Sequence, residues 1–527
     1  MADEIKAAEV STESAAVKDP EAKKRITKAV FSVIFLIGAN LIFFFLLWLI
    51  GRYDNPALDQ ILFQAKASYE GTNGDLMTGA FIRVGVLGFL TAGLEFLLYF
   101  ILSGRFASKI KWNKYVKYCA TRVCDFFKRH AMSLTSMLLV ASTLIFALRL
   151  DVFSYFSATS TPSEFIEQNY VDPKDASISF PEQKRNLIYI FLESMENTFA
   201  DPTAGGSITE NFMPELTELA DKNISFSSTE GVGGAQSFFG TTWTAAALVS
   251  QTSGVTVKVS LFTEKFGDGN SFLPGLVTIG DILEAQGYAQ TVLFGSDARF
   301  AGRDEYFTEH GNYNIVDTQA LKADGRLPED YLEWWGFEDE KLFAYAKEEI
   351  LKLASGDKPF NFTMLTADTH FPDGYECRLC RDEYDEQYSN VIRCSARQVT
   401  AFIEWIQEQD FYDNTTIVIS GDHLTMDPEF LKDINEGYNR TVYNCIINSP
   451  IEAAKETNRT FGVFDMFPTT LAAIGATIEG DRLGLGTNLF SATPTLAETY
   501  GYEELNNELL KKSEFYNESF FGNDEEK

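Results

Sequence analysis

The sequence predicts an α/β protein: N-terminal transmembrane helices followed by a domain with a mainly parallel sheet flanked by helices. Three observations lead there. Three apolar stretches near the N-terminus are about as long as the ~20 residues a helix needs to cross a bilayer. From residue 184 onward, apolar runs of strand length alternate with helical patterns, the order of a parallel sheet wrapped by helices. Four of those runs end on carboxylates, imidazoles or arginines, and open parallel sheets bind ligands beyond the carboxyl ends of their strands.

The apolar stretches cover roughly residues 27–50, 78–103 and 131–149. The third contains Ser and Thr and also fits a buried soluble helix, but the charges between the stretches favour a span. Lys23, Lys24, Arg25 and Lys28 precede the first; Arg105, Lys109, Lys111, Lys114, Lys117, Arg122, Lys128 and Arg129 separate the second from the third. Only Arg52 and Lys66 lie between the first and the second. An excess of Lys and Arg marks cytoplasmic loops, so the N-terminus and the 104–130 loop are expected inside and residue 151 onward outside. The first stretch is too long for a cleaved signal peptide and lacks the small-residue exit. Within the second, Arg83 is expected to snorkel and Glu95 to pair with it or with a lipid headgroup.

The predicted organisation is a membrane anchor over 1–150, a juxtamembrane connector over 151–183, a catalytic domain over 184–502 and an acidic, frayed tail over 503–527. Residues 1–150 hold 18 Lys and Arg against 12 Asp and Glu, whereas residues 151–527 hold 26 against 63. So polyanionic a soluble part argues against a nucleic-acid partner. Of the six cysteines, Cys119 and Cys124 fall on the cytoplasmic side and are expected as free thiols. Cys377, Cys380, Cys394 and Cys445 fall outside, where two disulfides of undetermined pairing are expected. A metal site at Cys377-x-x-Cys380 is the rival reading.

Candidate strands are 186–192, 289–295, 360–366, 415–420 and 442–447; helical patterns cover 277–286, 331–353, 396–408 and 464–474. The first strand, continuously apolar and thus buried on both faces, runs into Glu193-Ser194. The others run into Ser296-Asp297-Ala298-Arg299 with Arg303 beyond, Ala367-Asp368-Thr369-His370, and Gly421-Asp422-His423. A carboxylate after a strand is ordinarily a turn or cap residue. Here, however, two of only four histidines occupy such ends. His130 and His310 lack that setting and read as structural. Glu193, Asp422 and His423 together suit a divalent ion such as Mn²⁺ or Zn²⁺, and a nearby arginine suits phosphoryl chemistry. For the nucleophile, the Gly-rich stretch from Gly231 to Gly240 enters an Ala-rich helical run at Thr244, where free N–H groups favour an anion. Thr241, Thr242 and Thr244 are equally N-cap candidates.

Three segments resemble the membrane-anchored phosphoglycerol and phosphoethanolamine transferases of the alkaline phosphatase/sulfatase superfamily, lipoteichoic acid synthase included. These are Asn186–Thr198, the segment Gly240-Thr-Thr-Trp-Thr244 followed by Ser250-Gln251, and Ser420-Gly-Asp-His-Leu-Thr-Met426. The last, together with Arg482–Leu489, looks most like the periplasmic glucan phosphoglycerol transferase branch. The resemblance spans about residues 184–490 and implies an alkaline-phosphatase-like domain. It implies metal ligation by Glu193, Thr244, Asp422 and His423, with Mn²⁺ expected first and Zn²⁺ or Mg²⁺ as alternatives. Arg303 and His370 would hold the substrate phosphoglycerol and Trp243 would line the pocket. The implied reaction moves phosphoglycerol from phosphatidylglycerol to a periplasmic glucan or other glycan through a covalent threonine, in a multi-pass protein of a bacterial inner membrane with its site on the periplasmic side. Phosphoethanolamine transfer to lipid A or another glycan is the alternative, and an inactive membrane-tethered binding protein is an alternative of another class. The formylglycine motif of sulfatases, Cys or Ser followed by x-Pro-x-Arg, is absent. The three predicted spans also differ from the five of lipoteichoic acid synthases.

Overall fold

The computed structural model describes residues 20–53, 56–72, 74–102, 113–259, 266, 271–435 and 437–521. The chain divides into two compact units, Met1–Gly51 with Gly74–Val152 and Arg52–Asn73 with Phe153–Lys527.

In the first unit, α1 (Pro20–Ile50), α2 (Leu87–Leu102) and α3 (Lys114–Arg149) pack on one another. Three stretches, Lys23–Ile50, Leu76–Ile101 and Arg129–Arg149, are long and apolar enough to cross a membrane. A π-helical turn over Phe81–Val86 leads into α2. Glu95 differs from the expectation. Its Oε2 accepts a hydrogen bond of 2.8 Å from Nδ2 of Asn40 on α1, so a neighbouring helix rather than Arg83 satisfies the intramembrane carboxyl. Helix α3 continues back to Lys114, well into the expected 104–130 loop. Arg105, Lys109 and Lys111 lie outside the described residues, as do the side chains of Cys119 and Cys124.

The second unit is built on a seven-stranded sheet. Its strands are β1 (Asn186–Leu192), β2 (Gly234–Ala235), β3 (Ala289–Phe294), β4 (Asn314–Val316), β5 (Phe360–Leu365), β6 (Thr415–Gly421) and β7 (Val442–Ile447), in spatial order β2-β7-β6-β1-β5-β3-β4. The five central strands β6, β1, β5, β3 and β4 are parallel, and β7 and β2 close one edge antiparallel. Every residue of β1, β5, β6 and β7 is buried, as unbroken apolar runs require of strands covered on both faces. Helices α4 (Thr244–Ser253), α5 (Arg303–Glu309), α6 (Asp339–Ala354), α7 (Gln387–Gln407) and α8 (Met466–Ala473) accompany the sheet. Two apolar clusters result. One centres on Tyr189 and Phe191 with α4 and α8, and the other on Ile188 and Ile190 with α6 and α7. Alternate residues of β1 point into opposite clusters, the two-residue period of a strand made visible.

The segment between the first two spans belongs to this second unit. In it, Phe63 is buried against Trp243, Phe266 and Phe272 at ring separations of 5.3, 5.2 and 6.4 Å. Over residues 503–521 the expected tail is packed rather than frayed. Leu505, Leu509, Tyr516 and Phe520 are buried, and Tyr516 donates its hydroxyl to the Thr256 carbonyl at 3.0 Å.

Two disulfides are not what the cysteines form. Cys445 points from β7 into the core, with its Sγ 3.6 Å from the Leu219 carbonyl and no thiol partner among the described residues. Cys377, Cys380 and Cys394 gather elsewhere with unbonded sulfurs.

Candidate functional site

The parallel register sets β1 and β6 ending side by side, with Leu192 opposite Gly421. Glu193 and Asp422 therefore leave adjacent strands at one level. Gly421 must be glycine, since a Cβ there would meet the Met195 carbonyl oxygen at 2.0 Å. Ser194 turns the chain through the left-handed region (φ 52°), a conformation that costs a non-glycine residue energy and recurs at functional sites. Its N–H donates to Oδ1 of Asp422 at 2.8 Å, and its hydroxyl donates to Oε1 of Glu193 at 2.9 Å.

Thr244 is the first residue of α4 and meets this pair. Its Oγ1 lies 3.2 Å from Oε2 of Glu193 and 3.3 Å from Nε2 of His423. The first intrahelical bond is Ala247 N–H to the Trp243 carbonyl, so the N–H groups of Thr244, Ala245 and Ala246 have no acceptor within the helix. Gly240 shapes the approach. It has φ +73°, and a Cβ would meet the Val257 carbonyl at 2.4 Å. Gln251, one residue on in the Ser250-Gln251 pair, fixes the helix. Its Nε2 donates to the Gly421 carbonyl at 2.9 Å, and its Oε1 accepts the Tyr189 hydroxyl at 2.9 Å. Trp243 packs against Phe63 and is almost wholly buried.

Glu193, Asp422 and His423 each offer a ligand atom within 4.8 Å of the others. Asp422 uses Oδ1 to accept the N–H groups of Ser194 and His423, while its buried Oδ2 has no hydrogen-bond partner among the described residues. His423 holds its Nδ1 2.8 Å from the Leu424 carbonyl. A carbonyl only accepts, so Nδ1 carries the proton and Nε2 presents a lone pair. Burial and the Glu193 charge push Asp422 up to about 8, against the opposing pull of His423. Burial would also raise Glu193, but His370, His423 and the Ser194 hydroxyl together hold it below its usual value. Burial would lower His423, yet Asp422 and Glu193 outweigh it and leave it raised. An orphaned carboxylate oxygen, an imidazole lone pair and a hydroxyl converging in a buried space fit a divalent cation, which would displace the extra proton.

His370 repeats the imidazole device, with Nδ1 2.7 Å from the Phe371 carbonyl and no hydrogen bond at Nε2 among the described residues. Burial keeps it below its usual pKa and hence neutral near pH 7, although the Glu193 charge opposes this. Arg303, at the start of α5, is buried. Its Nε donates to the Phe300 carbonyl at 3.0 Å, and its Nη2 donates to the Asp297 carbonyl at 2.8 Å and to Oγ of Ser296 at 2.9 Å. Its guanidinium stacks 4.6 Å from the Phe294 ring centre. Burial draws it down to about 10, still a cation near pH 7, and it feels the charge of Glu193.

Other strand-end residues are structural. Asp297 pairs with Arg299. Asp368 faces Asp339 through reciprocal backbone contacts of 3.1 Å, and burial of the two carboxyls keeps both raised. His310 is buried with its Nε2 2.9 Å from the Phe272 carbonyl. Sequence reasoning missed two features. Trp335 lies 4.7 Å from the His370 ring. Arg52, from the segment after the first span, acts electrostatically on His370, and its buried Nε has no hydrogen-bond partner among the described residues. A lone arginine after an apolar stretch reads as a topology signal, so nothing in the sequence separated it from one.

The chain belongs to the sulfatase family, whose profile matches residues 185–476. Among characterised relatives it is similar to phosphoglycerol transferase I of Escherichia coli strain 55989, 32% identical over 269 residues. That match covers 50% of this chain and 34% of the relative, so the shared part spans about a third of the relative's length. Among solved structures it is similar to a protein in the alkaline phosphatase superfamily from Vibrio parahaemolyticus. The TM-score is 0.50 and the identity 22%, over 62% of this chain and 76% of that one. It also matches the lipoteichoic acid synthase LtaP from Listeria monocytogenes with a TM-score of 0.47 and 19% identity, over 62% and 81% of the two chains.

Proposed function

We propose that the protein is a membrane-anchored phosphotransferase that moves phosphoglycerol from phosphatidylglycerol to a glycan hydroxyl, a periplasmic glucan in the first instance. The observation that carries this reading is the Thr244 hydroxyl at a helix N-terminus, within 3.3 Å of both Glu193 and His423. The name of the E. coli relative supports the choice of phosphoglycerol.

Glu193, Thr244, Asp422 and His423 would hold a divalent cation, with Mn²⁺ our first choice over Zn²⁺ or Mg²⁺. Such an ion supplies Lewis acidity that lowers the pKa of the Thr244 hydroxyl and offsets charge on phosphoryl oxygens. Thr244 Oγ1 attacks the donor phosphorus. A Thr–O–P bond forms, the bond from phosphorus to the diacylglycerol oxygen breaks, and the threonine proton leaves with diacylglycerol. The glycan hydroxyl then attacks the phosphothreonine diester, the Thr–O–P bond breaks, and the proton from that hydroxyl returns to Thr244. The unpaired N–H groups at the start of α4 stabilise charge developing on the phosphoryl oxygens. Arg303 supplies a positive charge near the phosphate. Neutral His370 offers Nε2 as an acceptor for a glycerol hydroxyl, and Trp243 lies at the pocket wall. The apolar helices confine the enzyme to the membrane that contains its donor, with the site on the periplasmic side.

The test feeds purified protein phosphatidylglycerol or phosphatidylethanolamine carrying a labelled headgroup and weighs the adduct by peptide mass spectrometry. We expect label from phosphatidylglycerol on Thr244, and none, with turnover abolished, in Thr244→Ala. An active, labelled Thr244→Ala overturns the nucleophile. Label from phosphatidylethanolamine alone overturns the headgroup.

A further inference from the structure

The second gathering of ligand-type side chains lies apart from the catalytic cluster, at Cys377, Cys380 and Cys394. The Cys377 Sγ is 3.8 Å from the Cys380 Sγ and 3.8 Å from the Cys394 Sγ, and all three sulfurs lie within 4.8 Å of one another. That spacing is far from the ~2.05 Å of a disulfide. It is the spacing of thiolates around one tetrahedral ion. With metal–sulfur bonds of about 2.3 Å, the edge of the tetrahedron is about 1.63 times longer, or ~3.8 Å.

The surroundings suit charged sulfur. The Cys380 and Cys394 thiols first, and then the nearby Leu379 and Cys380 N–H groups, draw the Cys377 thiol down from its ordinary value. Nε2 of Gln398, one turn along α7 from Cys394, lies 3.7 Å from the Cys377 Sγ and 3.5 Å from the Cys394 Sγ. Donors converging on sulfur stabilise a thiolate and orient it, as groups around a metal ligand do. The turn holding Cys377 and Cys380 is closed by the Cys380 N–H on the Cys377 carbonyl at 3.0 Å. Two cysteines thus come from one tight turn and the third from a helix, a common way of assembling a closed metal knot.

We propose that Cys377, Cys380 and Cys394 bind a second, thiophilic divalent ion, zinc in the first instance, with water as its fourth ligand on the half-exposed side at Cys380. Binding releases the three thiol protons to solvent and forms three metal–sulfur bonds, with no change of oxidation state. The consequence is mechanical. Residues 366–386 carry His370 and contain no helix or strand. The ion fastens that loop to α7 seven residues beyond His370, so it positions the loop and takes no part in the chemistry.

The experiment uses the full-length protein in detergent, isolated without chelator or reductant. Titrating a mercurial reagent into the zinc-loaded wild type should release about one equivalent of zinc as the thiols are consumed, read with a chromogenic chelator. Cobalt(II) exchanged into the protein should show sulfur-to-cobalt charge-transfer absorption. That absorption should persist in Glu193→Gln, which disarms the catalytic cluster, and vanish in Cys394→Ser. The proposal is overturned if the mercurial frees no zinc, or if native mass spectrometry finds Cys377 in a disulfide. The mercurial titration needs no variant, so a poorly folding Cys394→Ser leaves the question decidable.

Discussion

At the scale of single residues, the site depends on side-chain atoms turned toward one another rather than toward the backbone. Asp422 Oδ2, without a hydrogen-bond partner among the described residues, and His423 Nε2, 3.3 Å from the Thr244 hydroxyl, face this space because the other atoms of both side chains are tied to backbone groups. Arg52 belongs to the same group of incomplete residues. Its Nε has no partner among the described residues, its guanidinium also bonds the Tyr53 hydroxyl, and its charge acts on His370. A guanidinium held this way is ready for a bidentate grip on a phosphate diester, and a hydrogen bond to a charged group contributes roughly 1.5–3 kcal/mol. Arg52→Ala should therefore raise KM for the lipid donor about tenfold or more while the thermal midpoint hardly moves. Steady-state kinetics on lipid–detergent micelles check this, and an unchanged KM would remove Arg52 from the site. The residues around it show what a sequence can give. Glu193, Asp422 and His423 were legible because rare histidines and carboxylates stood at strand ends. Arg52 was not, because its place depends on a segment distant in sequence packing within the second unit.

At the scale of elements, the candidate site depends on three termini meeting: the ends of β1 and β6 and the start of α4. Gln251 is the tie, bonding both strands from the middle of the helix. Gln251→Leu keeps much of the volume but strands the Tyr189 hydroxyl in the core and takes the amide donor from the Gly421 carbonyl, which keeps the Ser420 hydroxyl at 2.9 Å. Each buried group so stranded costs about 1–3 kcal/mol. The expected result is a lower thermal midpoint together with a fall in kcat at nearly unchanged KM, since the donor still binds but Thr244 is less well aimed. A kcat equal to wild type would show that α4 is positioned by packing alone. The central strands were readable because unbroken apolar runs are what buried parallel strands demand, and β1 and β7 begin and end where the pattern places them. The edge strands β2 and β4 were not. At two and three residues they carry no period, and β2 is defined by its partner: a Cβ on Gly234 would meet the Val442 carbonyl at 1.8 Å. Helix α7 begins nine residues before the apolar pattern announces it, because Tyr388 and Ile392 pack against the core from a stretch rich in polar residues.

At the scale of the whole molecule, burial of ionisable groups links stability to pH. Asp465 is the clearest case outside the candidate site. It is fully buried, and its carboxylate accepts the Gly462 N–H at 2.8 Å and the Thr487 N–H at 2.6 Å, joining the start of α8 to the Gly486–Thr487 strand. Burial lifts it from 3.8 to about 7, against those N–H groups and the charges of Arg482 and Arg459. A carboxyl whose pKa is higher in the folded state holds its proton more tightly there. Its stabilisation is complete below the unfolded value near pH 4 and is lost as pH rises through about 7. Each tenfold gain in proton affinity corresponds to about 1.4 kcal/mol, so the whole effect is on the order of a few kcal/mol. Asp465→Asn removes the titration and adds a penalty that does not vary with pH, because an amide nitrogen then faces a backbone N–H. The difference in thermal midpoint between wild type and variant should therefore be largest near pH 5 and shrink by a few degrees near pH 8. Thermal unfolding of both proteins in one detergent across that range measures it. A difference that grows with pH would mean that the N–H groups and arginines, rather than burial, set the charge of Asp465.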